Sequence, residues 1–527
     1  MEINRFQGRS LAVIGDFSLE ERMYLFKKTT ELKNTLSNGE IERTEAFRIN
    51  NGDFGIYEVF LESSTRTKES FKNAAEFHRV KISSLDVGAS SINKKESYAD
   101  TFNTLTGYDN SVFIVRSKLE GVCRWLEING KSYARRNGLD VPPSFINAGD
   151  GKHEHPTQEL LDEFTFLEKL EGNRDSIHIA LIGDLFHGRT VHSKVQGLQI
   201  FDKVQVDLVA PKPLSLPGHY IREMEQLGYN VRIFESIEAY LNQNTIADIW
   251  YFTRPQLERM GDDILKSADS LRDKITFKRE YMEKLPQGTT FYHPLPRHKE
   301  HPTIPSFLDT TALNGWEEQS ANGKLIRIIL LGLVAGKLGS DFKPLSNPPQ
   351  QRTRSFIEEI PIDENRPVKR YTEGINPVSN GIVIDHICRG DNRRDIRDHT
   401  ARIINVMELF GKGGEWITAS REDKKMMKGI IFRPEREELS PSEINKLSAI
   451  APGATLNIIK KSRVVKKLRL HMPPKVYNLD SISCSNPDCI SHPAHCENVP
   501  PEFINTSGNT LRCAYCEKEH TFKEIWK

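Results

Sequence analysis

Gly55-Ile-Tyr-Glu-Val-Phe-Leu-Glu62 reads as a β-strand, and the Ser63-Ser-Thr-Arg-Thr67 that follows leads into a helical pattern beginning near Ser70. The strand assignment rests on its β-branched and aromatic residues and its short length. A strand that runs through a Ser/Thr-rich loop into a helix offers backbone N–H groups and the positive end of the helix dipole, which favours an anion there. Ser64, Thr65 and Thr67 add hydroxyl donors, and Arg66 offers a planar fork that matches phosphate geometry. The plainer reading of the same residues is a Ser/Thr helix cap beside an exposed arginine.

Outward from this segment the pattern repeats. Short β-rich runs at 111–116, 177–184, 205–210, 246–253 and 290–293 each lead through a polar loop into a helical stretch. Alternation of that kind predicts parallel sheets with helices on both faces, an α/β fold. About 340 residues exceed one core, so two lobes are expected. Residues 341–370, with Pro344, Pro348, Pro349, Pro361 and Pro367 among polar side chains, read as a linker. From Tyr371 a second kind of protein begins, with strands at 381–388 and 430–432 and a helix over 398–410.

Composition narrows the function classes. The chain of 527 residues carries 73 Lys+Arg against 72 Asp+Glu, a net charge of +1, which argues against a strongly basic nucleic-acid binder. A mean hydropathy of −0.51 and an apolar run no longer than 328–336 give no candidate membrane span. The first residues, Met1-Glu-Ile-Asn-Arg-Phe-Gln7, lack the apolar core of a secretory signal, and a soluble cytoplasmic protein is expected. Of seven cysteines, Cys123 and Cys388 stand alone, whereas Cys484, Cys489, Cys496, Cys513 and Cys516 crowd the end of the chain. Cys484-x4-Cys489 and Cys513-x2-Cys516 are two thiolate pairs suited to one tetrahedral zinc, closed and therefore structural. His492, His495 and Cys496 are spare ligand candidates.

Several further segments combine turn residues with cations or imidazoles. Asn147-Ala-Gly-Asp-Gly-Lys-His-Glu-His-Pro-Thr-Gln158 opens a helix over 159–170, and 182–193 sets Arg189 at a strand-to-helix turn. Thr253-Arg-Pro-Gln256 and His293-Pro-Leu-Pro-Arg297 each follow a predicted strand. Any one of these could be a surface loop. Together they put Arg66, Arg116, Arg189 and Arg254 at the carboxyl ends of four predicted strands, where open α/β sheets bind ligands. Four such forks imply substrates rich in phosphate and carboxylate.

Ser64-Thr-Arg-Thr67, His155-Pro-Thr-Gln158 and His293-Pro-Leu-Pro-Arg297, in that order, resemble the transcarbamoylase family over almost all of residues 1–340. Thr253-Arg-Pro-Gln256 and His293-Pro-Leu-Pro-Arg297 resemble its aspartate branch, since the ornithine branch typically carries a His-Cys-Leu-Pro segment. The sequence after the linker resembles the regulatory chain of that branch, so the whole resembles a fused catalytic–regulatory aspartate carbamoyltransferase acting early in pyrimidine biosynthesis. The resemblance implies a carbamoyl-phosphate lobe (1–150, completed by a helix at 320–340) and an aspartate lobe (151–319). It also implies an α+β nucleotide-binding domain (371–470) and a small zinc-binding β domain (471–527) that docks on the catalytic chain.

It implies roles as well. Ser64, Thr65, Arg66 and Thr67 would hold the phosphate of carbamoyl phosphate, with Arg116, His155 and Gln158 at its carbamoyl end. Arg189, Arg254, Gln256 and the Leu295 backbone would bind L-aspartate. Ser91 and Lys95 match residues that reach a neighbouring subunit's site, implying a homotrimer or larger assembly. Asp385, His386, Lys428, Asn457, Ile459 and Lys467 match a nucleoside-triphosphate effector site. That match gives Lys460-Lys-Ser-Arg-Val-Val-Lys-Lys-Leu-Arg469, which invites a nucleic-acid reading or that of a solvated strand face, a third account. A transcarbamoylase for another amine, or a zinc-dependent interaction module on an inactive α/β scaffold, are the alternative functions. Retention of Arg66, His155, Gln158, Arg189 and Arg254 together speaks against the second.

Overall fold

A computed structural model describes residues 4–85, 96–256, 268–344, 355–362, 378–419, 426–434 and 436–527. The chain forms two compact units, Met1–Asn347 with Asp488–Ile490, and Pro348–Pro487 with Ser491–Lys527. The first unit holds two parallel sheets. One is built from β1 (Gly55–Phe60), β2 (Lys81–Ser84), β3 (Asn110–Ser117) and β4 (Ser144–Asp150), in the order β2-β1-β3-β4. The other uses β5 (Ile177–Ile182), β6 (Val204–Val209), β7 (Asn230–Phe234), β8 (Ile249–Phe252) and β9 (Thr290–Tyr292), in the order β7-β6-β5-β8-β9. Every pair in both sheets is parallel.

The central strands are buried because helices cover both faces, so their near-continuous apolar sequences stay readable as strands. β4 has no such signature. Its Asn147 is buried yet satisfied: Nδ2 donates to Ala12 O at 2.8 Å and to Asp150 Oδ1 at 2.9 Å, and Oδ1 accepts from Gly149 N at 2.8 Å. Polar residues on a strand whose partners lie far away in sequence give no apolar pattern to read.

Five helices set the functional geometry: α1 (Leu19–Ser37), α2 (Thr65–His78), α3 (Pro156–Lys169), α4 (Arg189–Gly197) and α5 (Trp316–Val334). α2 starts at Thr65, not near Ser70 as the sequence pattern indicates, with Ser64 as an extended cap whose hydroxyl donates to Thr67 Oγ1. The polar first turn hid it, because the buried periodic residues begin only at Thr67 and Phe71. α3 likewise begins three residues before 159, with Pro156 in the first turn, where its missing N–H costs nothing. α5 spans Trp316–Val334 rather than 320–340 and packs against α1, α2 and α3.

α3 is buried from Pro156 to Leu167, including Glu159, Asp162 and Glu163. Three acids inside a core require cations. Lys194 on α4, itself fully buried, lies 2.8 Å from Glu159 Oε2 and 2.6 Å from Asp162 Oδ2. Arg22 on α1 donates to Glu163 at 2.6 Å and to the Gly197 carbonyl at 3.1 Å. Gly197 is required here, since a Cβ would stand 2.1 Å from Glu159 Oε1.

The second unit is antiparallel. β10 (Ile357–Glu359), β11 (Gly381–Gly390), β12 (Gly414–Ala419), β13 (Met427–Pro434), β14 (Thr455–Lys460) and β15 (Arg463–Leu470) form a sheet ordered β10-β15-β14-β11-β13-β12. α6 (Arg393–Val406) packs on it, and α7 (Pro441–Ile450) precedes β14. α6 starts earlier than the expected 398–410: Asn392 caps it by accepting from Arg394 N and Asp395 N, and the left-handed Glu408 lies just past its end. β10 falls inside the stretch read as linker, because three residues pair with β15 without any periodicity of their own. A meander of β16 (Lys475–Tyr477), β17 (Glu502–Ser507), β18 (Thr510–Cys513) and β19 (Glu519–Thr521) ends the chain.

Replacing Lys194 with Met would leave Glu159 and Asp162 as buried acids without their cation. Such a break costs about 3–5 kcal/mol, so urea denaturation is expected to show Lys194→Met unfolding at a much lower midpoint than Glu31→Ala on the surface.

Candidate functional site

Each parallel sheet has one point where strand order reverses, and ligands bind outside the carboxyl ends of strands at such points. In the first sheet it falls between β1 and β3, in the second between β5 and β8. β1 leads to Arg66 in the first turn of α2, and β3 carries Arg116 near its end. β5 leads to Arg189, the first residue of α4, and β8 leads to Arg254. The four arginines singled out from sequence therefore occupy both reversal points.

Glu62 joins two of them. Its Oε2 lies 3.1 Å from Arg116 Nη2 and 2.9 Å from Arg189 Nη2. Arg116 Nη1 also donates to Ala148 O at 2.9 Å, and Arg189 Nη1 to Gly151 O at 3.1 Å. Gly149, at φ +109°, admits both: a Cβ there would lie 2.9 Å from Arg116 Nη1. Arg66 is exposed and makes no hydrogen bond or ion pair with other described residues.

Two imidazoles are held neutral. Burial, then the charges of Arg116, Arg189 and Arg327, push the His155 pKa well below its ordinary value. Thr157 Oγ1 lies 3.3 Å from His155 Nδ1, a contact in which either group can donate, and the neutral ring has one N–H to offer in a hydrogen bond. Burial, then Arg297, Arg66 and Arg254, lower the His293 pKa to about 3. The arginines thus act on two groups: Arg116 and Arg189 on His155, Arg66 and Arg254 on His293. Gln158 lies one turn into α3, behind His155. Gln256 N donates to Asp184 Oδ2 at 2.9 Å, and its Nε2 donates to His187 O at 3.2 Å. Leu295 has φ +55°, its N–H donating to His293 Nδ1 at 2.7 Å. Ser91 and Lys95 lie outside the described residues. Sequence reading gave no role to Glu62, Asp162, Asp184 or Gln319. Glu62 stood within the stretch first quoted, and an acid between arginine-bearing loops was its signal.

The candidate effector residues share one sheet. Val383 pairs with Asn457, and Asn457 with Lys467, so the three stand side by side across β11, β14 and β15. Asp385 and Ile459 are each two residues along, on the same face, while Ile382, Ile384, Leu456, Ile458 and Leu468 pack beneath. Lys428, buried on β13, is 2.8 Å from Asp385 Oδ1. Burial alone would raise the Asp385 pKa, but the Lys428 bond and the nearby His386 and Lys428 charges hold it below the usual value.

The ligand atoms of Cys484, Cys489, Cys513 and Cys516 all lie within 4.8 Å of one another, with Cys484 and Cys516 sulfurs 3.8 Å apart. Tetrahedral zinc with Zn–S near 2.3 Å sets sulfurs about 3.8 Å apart, so these four residues fit the ion. His520 Nε2 stands 3.4 Å from Cys484 Sγ, and the ring is held by Ser485 at Nδ1, 3.0 Å away, an outer-shell contact that steadies a thiolate. Cys496 is exposed and bonds the Pro493 carbonyl; His495 bonds the Pro487 carbonyl.

Comparison with known proteins resolves the family. A fused relative from Treponema denticola named "Protein PyrBI" is 57% identical over 528 residues, covering 99% of both chains; one of the same name from Thermotoga maritima is 52% identical at the same coverage. Residues 9–168 match the family described as aspartate/ornithine carbamoyltransferase, carbamoyl-P binding domain. Residues 373–471 and 474–526 match the allosteric and metal-binding domains of the aspartate carbamoyltransferase regulatory chain. The chain belongs to the aspartate carbamoyltransferase family. It joins that family's catalytic region to its regulatory chain in one polypeptide and carries the structural zinc site of the latter. Among solved structures, aspartate transcarbamoylase from Trypanosoma cruzi in complex with N-(phosphonacetyl)-L-aspartic acid aligns with a TM-score of 0.53 at 29% identity, covering 63% of this chain and 97% of that one. Among the described residues, no helix is long and apolar enough to cross a membrane.

Ligation contributes folding free energy where thiolates are the core of a small sheet. One zinc per chain is expected by elemental analysis of protein purified without chelators. Its removal should expose the four thiols to a thiol reagent while leaving transcarbamoylase turnover of the catalytic region in place.

Proposed function

We propose that Arg66, Arg116, His155 and Gln158 carry the transfer of a carbamoyl group from carbamoyl phosphate to the amine of L-aspartate, giving N-carbamoyl-L-aspartate and phosphate. The observation that supports this most is the seating of four arginines at the reversal points of two facing lobes' sheets, with two neutral imidazoles among them. Ser64, Thr65, Arg66 and Thr67 bind the phosphate at the start of α2, where helix N–H groups add to the guanidinium. Arg116 and the N–H of the neutral His155 ring donate to the carbonyl oxygen. Their donation strengthens as the amine attacks and negative charge grows on that oxygen. A neutral His155 is the useful form, since it donates without needing a solution proton. The carbon–nitrogen bond forms, the carbon–oxygen bond to phosphate breaks, and the departing phosphate accepts the amine's proton. No covalent enzyme intermediate is involved.

Arg189, Arg254, Gln256 and the Leu295 main chain bind the two carboxylates of aspartate. The lobes divide at about residue 150, with 1–150 and α5 taking carbamoyl phosphate and 151–319 taking aspartate. A connecting stretch (341–370), an effector domain (371–470) and a zinc domain (471–527) follow. Ser91 and Lys95 act in a neighbouring subunit's site within a homotrimer or larger assembly, and the reaction proceeds in the cytoplasm as an early step of pyrimidine biosynthesis. Asp385, His386, Lys428, Asn457, Ile459 and Lys467 bind a nucleoside triphosphate, whose phosphates meet Lys467 and Lys428.

A turnover assay with carbamoyl phosphate tests the substrate assignment. Aspartate is expected to react and ornithine not, because Arg189 and Arg254 meet a second carboxylate and repel an ammonium; equal turnover of both would overturn it. Arg66→Ala removes a charge-assisted bond, so the affinity for carbamoyl phosphate is expected to fall roughly tenfold to hundredfold.

The effector reading has its own measurement. Calorimetry with ATP and CTP is expected to give binding heat that weakens as salt rises and is reduced in Lys467→Ala. No heat from either nucleotide, or equal affinity in the variant, would remove it.

A further inference from the structure

Asp162 sits one turn beyond Gln158 on α3 with no exposed surface, and three donors converge on it. Oδ1 accepts from Gln158 Nε2 at 2.9 Å and from Gln319 Nε2 at 2.7 Å, while Oδ2 takes Lys194 Nζ at 2.6 Å. Gln319 lies on α5 and is 1% exposed; its Oε1 accepts from His293 N at 2.9 Å. His293 Nδ1 in turn accepts from Leu295 N. One carboxylate thus reaches a carbamoyl-contacting side chain on one side and the main chain before Leu295 on the other.

The chemistry of the acceptor fixes both amides. A carboxylate paired with an ammonium can only accept hydrogen bonds, so each glutamine must turn its NH2 toward Asp162, whichever way its amide is drawn. For Gln319 the consequence is met on the spot, because its oxygen then faces the His293 N–H. For Gln158 it leaves the oxygen as the end free to meet a ligand.

We propose that Asp162 is a positioning residue that locks Gln158 with its Oε1 toward the substrate, making it an acceptor that selects an NH2 group on the acyl carbon, and that it steadies the Leu295 main chain through Gln319. This rests on Gln158 contacting the carbamoyl group, as proposed above. A free glutamine offers an oxygen or an NH2 by a half-turn of its amide and would not tell the two apart. Locked, it rewards a donor such as the carbamoyl NH2 and leaves a methyl group in its place unpaired against a polar oxygen. Gln158 and Asp162 stand at i and i+4, the spacing at which helical side chains meet. Lys194 holds the carboxylate from the opposite side, so the lock needs no motion on binding.

Donor discrimination tests it. The full-length protein is assayed with aspartate and either carbamoyl phosphate or acetyl phosphate, in which CH3 replaces NH2. In Asp162→Asn the new amide can donate to Gln158 as well as accept, so Gln158 is free to turn. The ratio of kcat/KM for the two donors is expected to fall about tenfold, while the inhibition constant of inorganic phosphate stays within about twofold because residues 64–67 bind it independently. A purely structural loss would lower both donors together and leave the ratio unchanged; that result in a folded variant would overturn the proposal. Gln319→Leu provides a second, independent arm should Asp162→Asn fail to fold. It keeps Gln158 on Asp162, so the donor ratio is expected to hold while the KM for aspartate rises several-fold. A changed donor ratio, or an unchanged aspartate KM, would refute the linkage. Absence of carbamoyl transfer in the wild type would instead defeat the assignment of Gln158 on which the proposal stands.

Discussion

The ammonium of Lys194, enclosed between the carboxylates of Glu159 and Asp162, is the contact on which the catalytic unit's geometry depends. A helix with three acids cannot lie between two sheets unless each acid meets a cation or a donor. Lys194 and Arg22 meet that demand, and in doing so they fix α4 and α1 against α3. His155 caps α3 and Arg189 begins α4, with His155 N donating to Ser193 Oγ at 3.1 Å. Pairing in the middle of these helices therefore sets the distance between His155 and Arg189 at their ends.

Charge in the site follows from that placement. Arginines from both sheets converge on residues that burial has already cut off from water. Glu62 bridges Arg116 and Arg189, tying a strand of one sheet to a helix that follows a strand of the other. Burial first, and the neighbouring guanidinium charges second, keep His155 and His293 neutral, so their rings are available as hydrogen-bond partners rather than as acids titrating near pH 7. Buried neutral imidazoles beside several guanidinium groups give this region an excess of positive charge.

The second unit solves a different problem. Its six-stranded sheet keeps one face packed under α6 and leaves polar residues on the other, an arrangement open to antiparallel sheets and closed to the parallel ones of the catalytic unit. The terminal meander is too small to build a large apolar core, and four thiolates with room for one zinc ion take over the stabilising role. Buried Phe503, Leu511 and Ile525 supply what core it has.

Much of this was legible in the chain alone. Strands with buried faces on both sides announce themselves by apolar runs, and β1, β3, β5, β6, β8 and β9 all did so; the two cysteine pairs likewise carry their chemistry in their spacing. Arg66, Arg116, Arg189 and Arg254 could be singled out because each follows or ends such a strand. What the chain does not display is any feature whose meaning comes from a distant partner. The polar strand β4, the short β10 inside a proline-rich stretch and the first turn of α2 have no periodicity of their own. Asp162 reads as one more helical acid, and Gln319 as one more polar residue at a helix start. Hydrogen bonding across 157 positions makes them a single device, since burial leaves an acceptor no choice of partner but the donors that folding brings to it.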